Sequence, residues 1–120
     1  MHLLLQLLLL RVLLPLQQQQ LPDAVNALQK AVELDPKNGE AHIGLALANA
    51  AQGNTAAALE SASQAAKLEP RNPRVNVKVG NLFLAQGDLD AAQAAYRRAL
   101  NVDRQFVDAR LGLGDVARQR

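Results

Sequence analysis

Displacing the chain along itself by 34 residues brings its prolines, glycines, asparagines and alanines into columns. Pro36 falls over Pro70, Asn38 over Asn72 and Gly53 over Gly87. Ala24, Ala58 and Ala92 form one column; Ala31, Ala65 and Ala99 form another; Ala46, Gly80 and Gly114 form a third. AQGN at 51–54 and AQGD at 85–88 are one turn met twice. A period of this length, with no alternating apolar and polar run, restricts the fold to stacked helical hairpins in which each unit covers the next.

The local signals agree with the period. EAHIGLALANAAQ and VNVKVGNLFLAQ are helical runs that stop at Gly53 and Gly87, residues suited to a helix C-terminus. Asn54 and Asp88 follow as N-caps for a second helix, and Asn72 with Pro73 in the first helical position opens another. These signals predict helices at 22–35, 40–52, 55–68, 73–86, 89–102 and 107–119. Small residues set the spacing: Ala58 and Ala92 are expected opposite Ala46 and Gly80, while Tyr96 and Phe83 fill the wider gaps between hairpins.

These features together resemble the tetratricopeptide repeat family over residues 22–120. The resemblance rests on the pairs Ala46/Ala58 and Gly80/Ala92, the turns Gly53-Asn54 and Gly87-Asp88, and Tyr96, Ala65, Ala99, Pro36 and Pro70. It implies an all-α, right-handed superhelical array of antiparallel helical hairpins, a solenoid of about seven helices. Residues 22–38 become the second helix of a partial repeat, 39–72 and 73–106 complete repeats, and 107–120 a terminal or capping helix. The chain departs from the family where a large aromatic usually opens the first helix. His42, Asn76 and Arg110 stand there, and Arg104 replaces the closing proline, changes expected to loosen the packing.

The leader, residues 1–21, is leucine- and glutamine-rich. A signal peptide would want a basic start and a small-residue cleavage site, and a spanning helix would need about 20 apolar residues. In register, the leader takes the place of a degenerate first helix. Its leucines exceed what one neighbouring helix can cover, so Leu4, Leu8 and Leu9 are expected at the interface of a homodimer. Membrane contact of the leader stays open, and with it the compartment: the cytoplasm for a repeat helix, export or anchorage for a signal.

Chemistry of the chain's own finds little support. No cysteine is present, and His2 and His42 lack any metal-ligand spacing. Gly112 and Gly114 fall in a helical column and not in a phosphate loop. No cofactor and no catalytic residue are expected. The net charge of +2 divides unevenly: residues 70–120 carry nine basic and five acidic side chains. With three aromatic residues in the chain, this bias suits anionic protein surfaces better than nucleic acid, whose single strands want stacking platforms.

A binding role is the better reading. In the family it resembles, the first helices line a concave groove for peptides or partner helices. With Val75, Val79, Leu82 and Phe83 on the core side of one first helix, the opposite stripe is Arg74, Val77, Lys78, Asn81 and Leu84. Its equivalents are Glu40, Ile43, Gly44, Leu47 and Ala50 upstream and Asp108, Leu111, Gly112, Asp115 and Arg118 downstream. Some family members hold chaperone tails by the terminal carboxylate with Lys and Asn; Ile43 and Leu47 occupy the first of those positions, which argues against that ligand. The expected activity is a non-enzymatic protein–protein interaction scaffold, with homo-oligomerisation through the leader as the alternative.

Overall fold

The computed structural model describes residues 20–120, which form six α-helices and no strand. The helix α1 covers 20–34. It is followed by α2 (Gly39–Ala51), α3 (Thr55–Leu68), α4 (Pro73–Ala85), α5 (Leu89–Val102) and α6 (Val107–Gln119). The seventh helix expected from the sequence, and the dimer residues Leu4, Leu8 and Leu9, lie outside the described residues.

Each helix starts and stops for a local reason. Asn38 Oδ1 accepts from the amides of Glu40 and Ala41 at 3.1 and 3.3 Å, and Asn72 Oδ1 from those of Arg74 and Val75 at 3.0 and 3.3 Å. Asp88 Oδ1 accepts from Ala91 at 3.2 Å. Asn54 departs from its expected role: its side chain makes no cap and its Nδ2 donates to Gln52 Oε1 instead. The two glycine turns are identical in construction. Gly53 (φ 84°) and Gly87 (φ 80°) adopt the left-handed conformation. Gly53 and Asn54 donate back to Ala50 and Asn49, as Gly87 and Asp88 donate to Leu84 and Phe83. This double return satisfies carbonyls that the helix end would otherwise leave open, and only glycine enters it without steric cost.

The departures at His42, Asn76 and Arg110 do not loosen the turns. All three reach the carbonyl six residues earlier, in the turn that precedes their own helix. His42 Nε2 lies 3.0 Å from the Pro36 oxygen, Asn76 Nδ2 donates to Pro70 at 3.0 Å and Arg110 Nη2 to Arg104 at 2.8 Å. Asn76 is fully buried, and its oxygen accepts from Arg98 Nε at 3.4 Å. Each of the three turns is thus tied by a polar bond to the helix that follows it. Each such bond is worth about 0.5–1.5 kcal/mol net, and a buried partner left bare would cost more.

Helices α2 and α3 form one antiparallel hairpin, α4 and α5 the next, and α6 packs on α5. The first helices α2, α4 and α6 touch in succession, so they make one continuous row. Two core clusters hold the stack. One joins Ile43, Ala46, Ala62, Ala65, Val75, Val79, Leu82 and Ala95. The other joins Val77, Ala92, Tyr96, Ala99, Ala109 and Val116, and Phe83 packs against both. At the Gly80 crossing a built Cβ would meet the Tyr96 ring at 2.7 Å, so the glycine makes room for the tyrosine.

Candidate peptide-binding groove

Because the first helices lie side by side, their outward stripes face one another across a shallow channel. Between α4 and α6 this channel is a groove of about 540 Å³, lined by Arg74, Val77, Lys78, Asn81, Phe106, Asp108, Leu111, Gly112 and Asp115. Eight residues of the stripe expected from helical spacing meet there: Arg74, Val77, Lys78, Asn81, Asp108, Leu111, Gly112 and Asp115.

Ile43, Leu47, Leu84 and Arg118 of that stripe do not. Ile43 is only 1 % exposed, because the following first helix closes over it with Val75 and Val79. It is a core residue, and no ligand in the groove can reach it. Leu84 is drawn into the second cluster beside Tyr96 and Ala99. Leu47 is exposed but outside the groove, and Arg118 turns back to pair with Asp115 one turn away on its own helix. Phe106 is the lining residue that helical spacing missed. It precedes α6 in the column where Asn38 and Asn72 stand, so an aromatic in a capping position was the available signal.

The walls carry opposite charge. Arg74 and Lys78 belong to α4, whereas Asp108 and Asp115 belong to α6. Lys78 Nζ also reaches Glu40 Oε2 of α2 at 3.5 Å, with both side chains about 40 % exposed. An ion pair this open contributes at most about 1 kcal/mol. Asn81 is set from behind. Its Oδ1 accepts from the hydroxyl of the buried Tyr96 at 2.5 Å, which leaves its amide nitrogen as the donor for the groove. Burial raises the Tyr96 pKa above 10.0, keeping that hydroxyl a donor. The far end of α6 is anchored by Arg120, which donates to Asp90 at 2.7 Å and Gln93 at 3.0 Å on α5.

Among the described residues no cluster of His, Asp or Glu could hold a metal ion, and no helix is long and apolar enough to cross a membrane. What the groove offers is a pair of oppositely charged walls, an aromatic edge and an oriented amide.

Comparison with known proteins fits this geometry. A tetratricopeptide repeat family model matches residues 9–73, and a second model of the same repeat matches residues 80–117. No curated protein matches the sequence. Among solved structures, a thermophilic TPR protein of Thermus thermophilus superposes with a TM-score of 0.75 at 28% identity, over 83% of this chain and 51% of that one. MamA gives 0.72 at 26% identity, over 82% of this chain and 57% of its own. The chain thus spans about half the length of these two proteins. The first TPR domain of Spaghetti, bound to an HSP90 peptide, shares the fold at a TM-score of 0.72 and 20% identity, over 86% and 82% of the two chains. By the matched repeats and by the hairpin stack, the chain belongs to the tetratricopeptide repeat family.

Proposed function

We propose that the chain is a non-enzymatic scaffold that holds a peptide or partner helix of another protein in the groove between α4 and α6. The observation that carries this reading is the division of charge across the groove, basic on α4 and acidic on α6. A ligand of mixed charge fits it in one orientation only, with its carboxylates toward Arg74 and Lys78 and its cationic side chains toward Asp108 and Asp115. Electrostatic complementarity of this kind selects partner and register more than it raises affinity.

A chaperone tail like the one bound to Spaghetti is a poor candidate. That ligand needs a cationic clamp, and here Ile43 is buried while Leu47 is apolar. Internal segments of mixed charge suit the groove better than a free C-terminal carboxylate.

The test is a peptide array probed with the full chain and with Lys78→Glu. The parent should select peptides in which acidic and basic residues are segregated, and Lys78→Glu should weaken that selection and flatten its salt dependence. Equal selection by both proteins, or binding indifferent to peptide charge, would remove the groove as the site.

A further inference from the structure

Helices α3 and α5 both pack on α4, but their own Cα atoms stay more than 8 Å apart. The gap between them is an open hollow of about 430 Å³. Val79 and Phe83 of α4 give its apolar surface, and Lys67 of α3 and Arg98 of α5 are the charged residues that line it. It shares no residue with the groove between α4 and α6. Arg98 is held from behind. Its Nε donates to Asn76 Oδ1 at 3.4 Å, and the buried Asn76 is itself fixed through Nδ2 by the carbonyls of Pro70 and Asn72, at 3.0 and 3.2 Å. The bond engages Nε and leaves the two terminal nitrogens, a pair suited to grip a carboxylate with two parallel bonds.

This crossing is not a copy of the one before it. One repeat upstream, Lys67, Phe83, Ala94 and Arg98 correspond to Glu33, Asn49, Glu60 and Gln64. The stack is built there without an aromatic and with acids where the later crossing has a cation and an alanine. The apolar, cationic hollow is therefore a local feature and not a requirement of the repeat. The chain also carries its complement. Leu34 ends α1 and is 87 % exposed, whereas Val102 in the same column is 36 % exposed. Glu33 and Asp35 flank it, both exposed.

We propose that Glu33-Leu34-Asp35 of a second copy of this chain docks in the hollow, with Leu34 on Val79 and Phe83 and the two carboxylates against Lys67 and Arg98. The giving and receiving surfaces are different, so the contact runs head to tail and each added copy leaves another hollow open. Its area is small, so the association is weak and rises with concentration. A two-fold dimer through the leader would instead stop at two copies. Sedimentation of the full chain over a concentration series tests the proposal, together with a labelled peptide of residues 29–38. The chain should form species larger than a dimer, and the peptide should bind saturably. Leu34→Ser, or Ala94→Glu on the α5 wall of the hollow, should hold the chain at a dimer or smaller while the helical signal is unchanged. Ala94→Glu in the protein, or Leu34→Ser in the peptide, should weaken peptide binding by about tenfold or more, and Lys78→Glu should change neither measurement. Glu33→Lys and Lys67→Glu should each stop growth, and mixing the two variants should restore a complex with one copy of each.

Growth that survives both Leu34→Ser and Ala94→Glu, or the absence of growth and of peptide binding together, overturns the proposal. Peptide binding that falls with Lys78→Glu but not with Ala94→Glu moves the peptide to the groove and also overturns it, leaving the groove reading intact. Peptide binding lost in Ala94→Glu by a chain that never exceeds a dimer would assign the hollow to an acidic segment of another protein and overturn the assignment to a second copy.

Discussion

The two complete hairpins share their turns, caps and columns but solve their crossings in opposite ways. In the first, the second-helix position at the centre is Ala62, fully buried, with Ala46 in the facing column and Lys78 on the next first helix. In the second, the same position is Tyr96, also fully buried, and both neighbours have lost their side chains: Gly80 on its own hairpin and Gly112 on the next helix. The partial hairpin upstream repeats the second solution, since Gly44 lies under Leu28 with a built Cβ only 2.9 Å from Leu28 Cδ2. A large residue on a second helix goes with glycine on the following first helix, and a small one goes with a side chain. The backbone repeat is therefore kept constant by exchanging volume locally, as close packing requires.

If that exchange is what holds the second hairpin, Tyr96→Ala is the most damaging single change. It empties the space between two glycines, which have no side chains with which to fill it. The expected loss is about 3–5 kcal/mol, read from the midpoint of urea unfolding. Ala62→Gly in the first hairpin removes one methyl group and, with the glycine penalty in a helix, should cost less. Comparable losses at the two sites would break the comparison.

The next largest effect separates two glycines that sit two residues apart. Gly112→Ala drives a Cβ into the Tyr96 ring, a rigid obstacle held on both sides, and should destabilise by about 1–3 kcal/mol. Gly114→Ala meets open space and gains helix propensity, so it should stabilise by about 0.5–1 kcal/mol. Thermal melts of the two variants should move in opposite directions. Movement in the same direction would mean that Tyr96 yields easily and that the volume exchange is not a constraint.

These contrasts also mark what could be read from the residues alone. The columns of Pro36, Gly53, Ala58 and their repeats are local or nearest-neighbour signals, and they placed the helices to within about two residues. Asn72 and Asp88 were legible as caps for the same reason. Exposure was not. Ile43 and Leu111 share one column and have opposite environments, because burial there depends on whether another helix lies beyond. Helical spacing could define a stripe but not where the stack closes over it. The Tyr96–Gly112 pairing recurs as Leu28–Gly44 at the same spacing, but it becomes meaningful only once a second helix is known to pack on the first helix of the next hairpin. Phe106 reached the groove from a loop, outside any helical stripe.

The smallest expected effect concerns pH, and it too belongs to one hairpin only. Tyr96 is the single tyrosine of the chain, and burial raises its folded pKa above the ordinary 10.0. Between that ordinary value and the raised one, the folded state keeps a proton that the unfolded state has lost. Stability from this group is therefore fully present below pH 10 and is lost as pH climbs through the folded pKa. The hydrogen bond to Asn81 acts in the same direction, because only the neutral hydroxyl can donate it. Lysines also titrate in this range, so the contribution is isolated by difference: Tyr96→Phe should unfold with a shallower alkaline dependence than the parent. The parent's tyrosinate absorbance should rise only as the chain unfolds. A tyrosine that ionises near its ordinary pKa while the helical signal is intact would show that the ring between Gly80 and Gly112 is accessible to solvent, and the tight crossing assigned to the second hairpin would not hold.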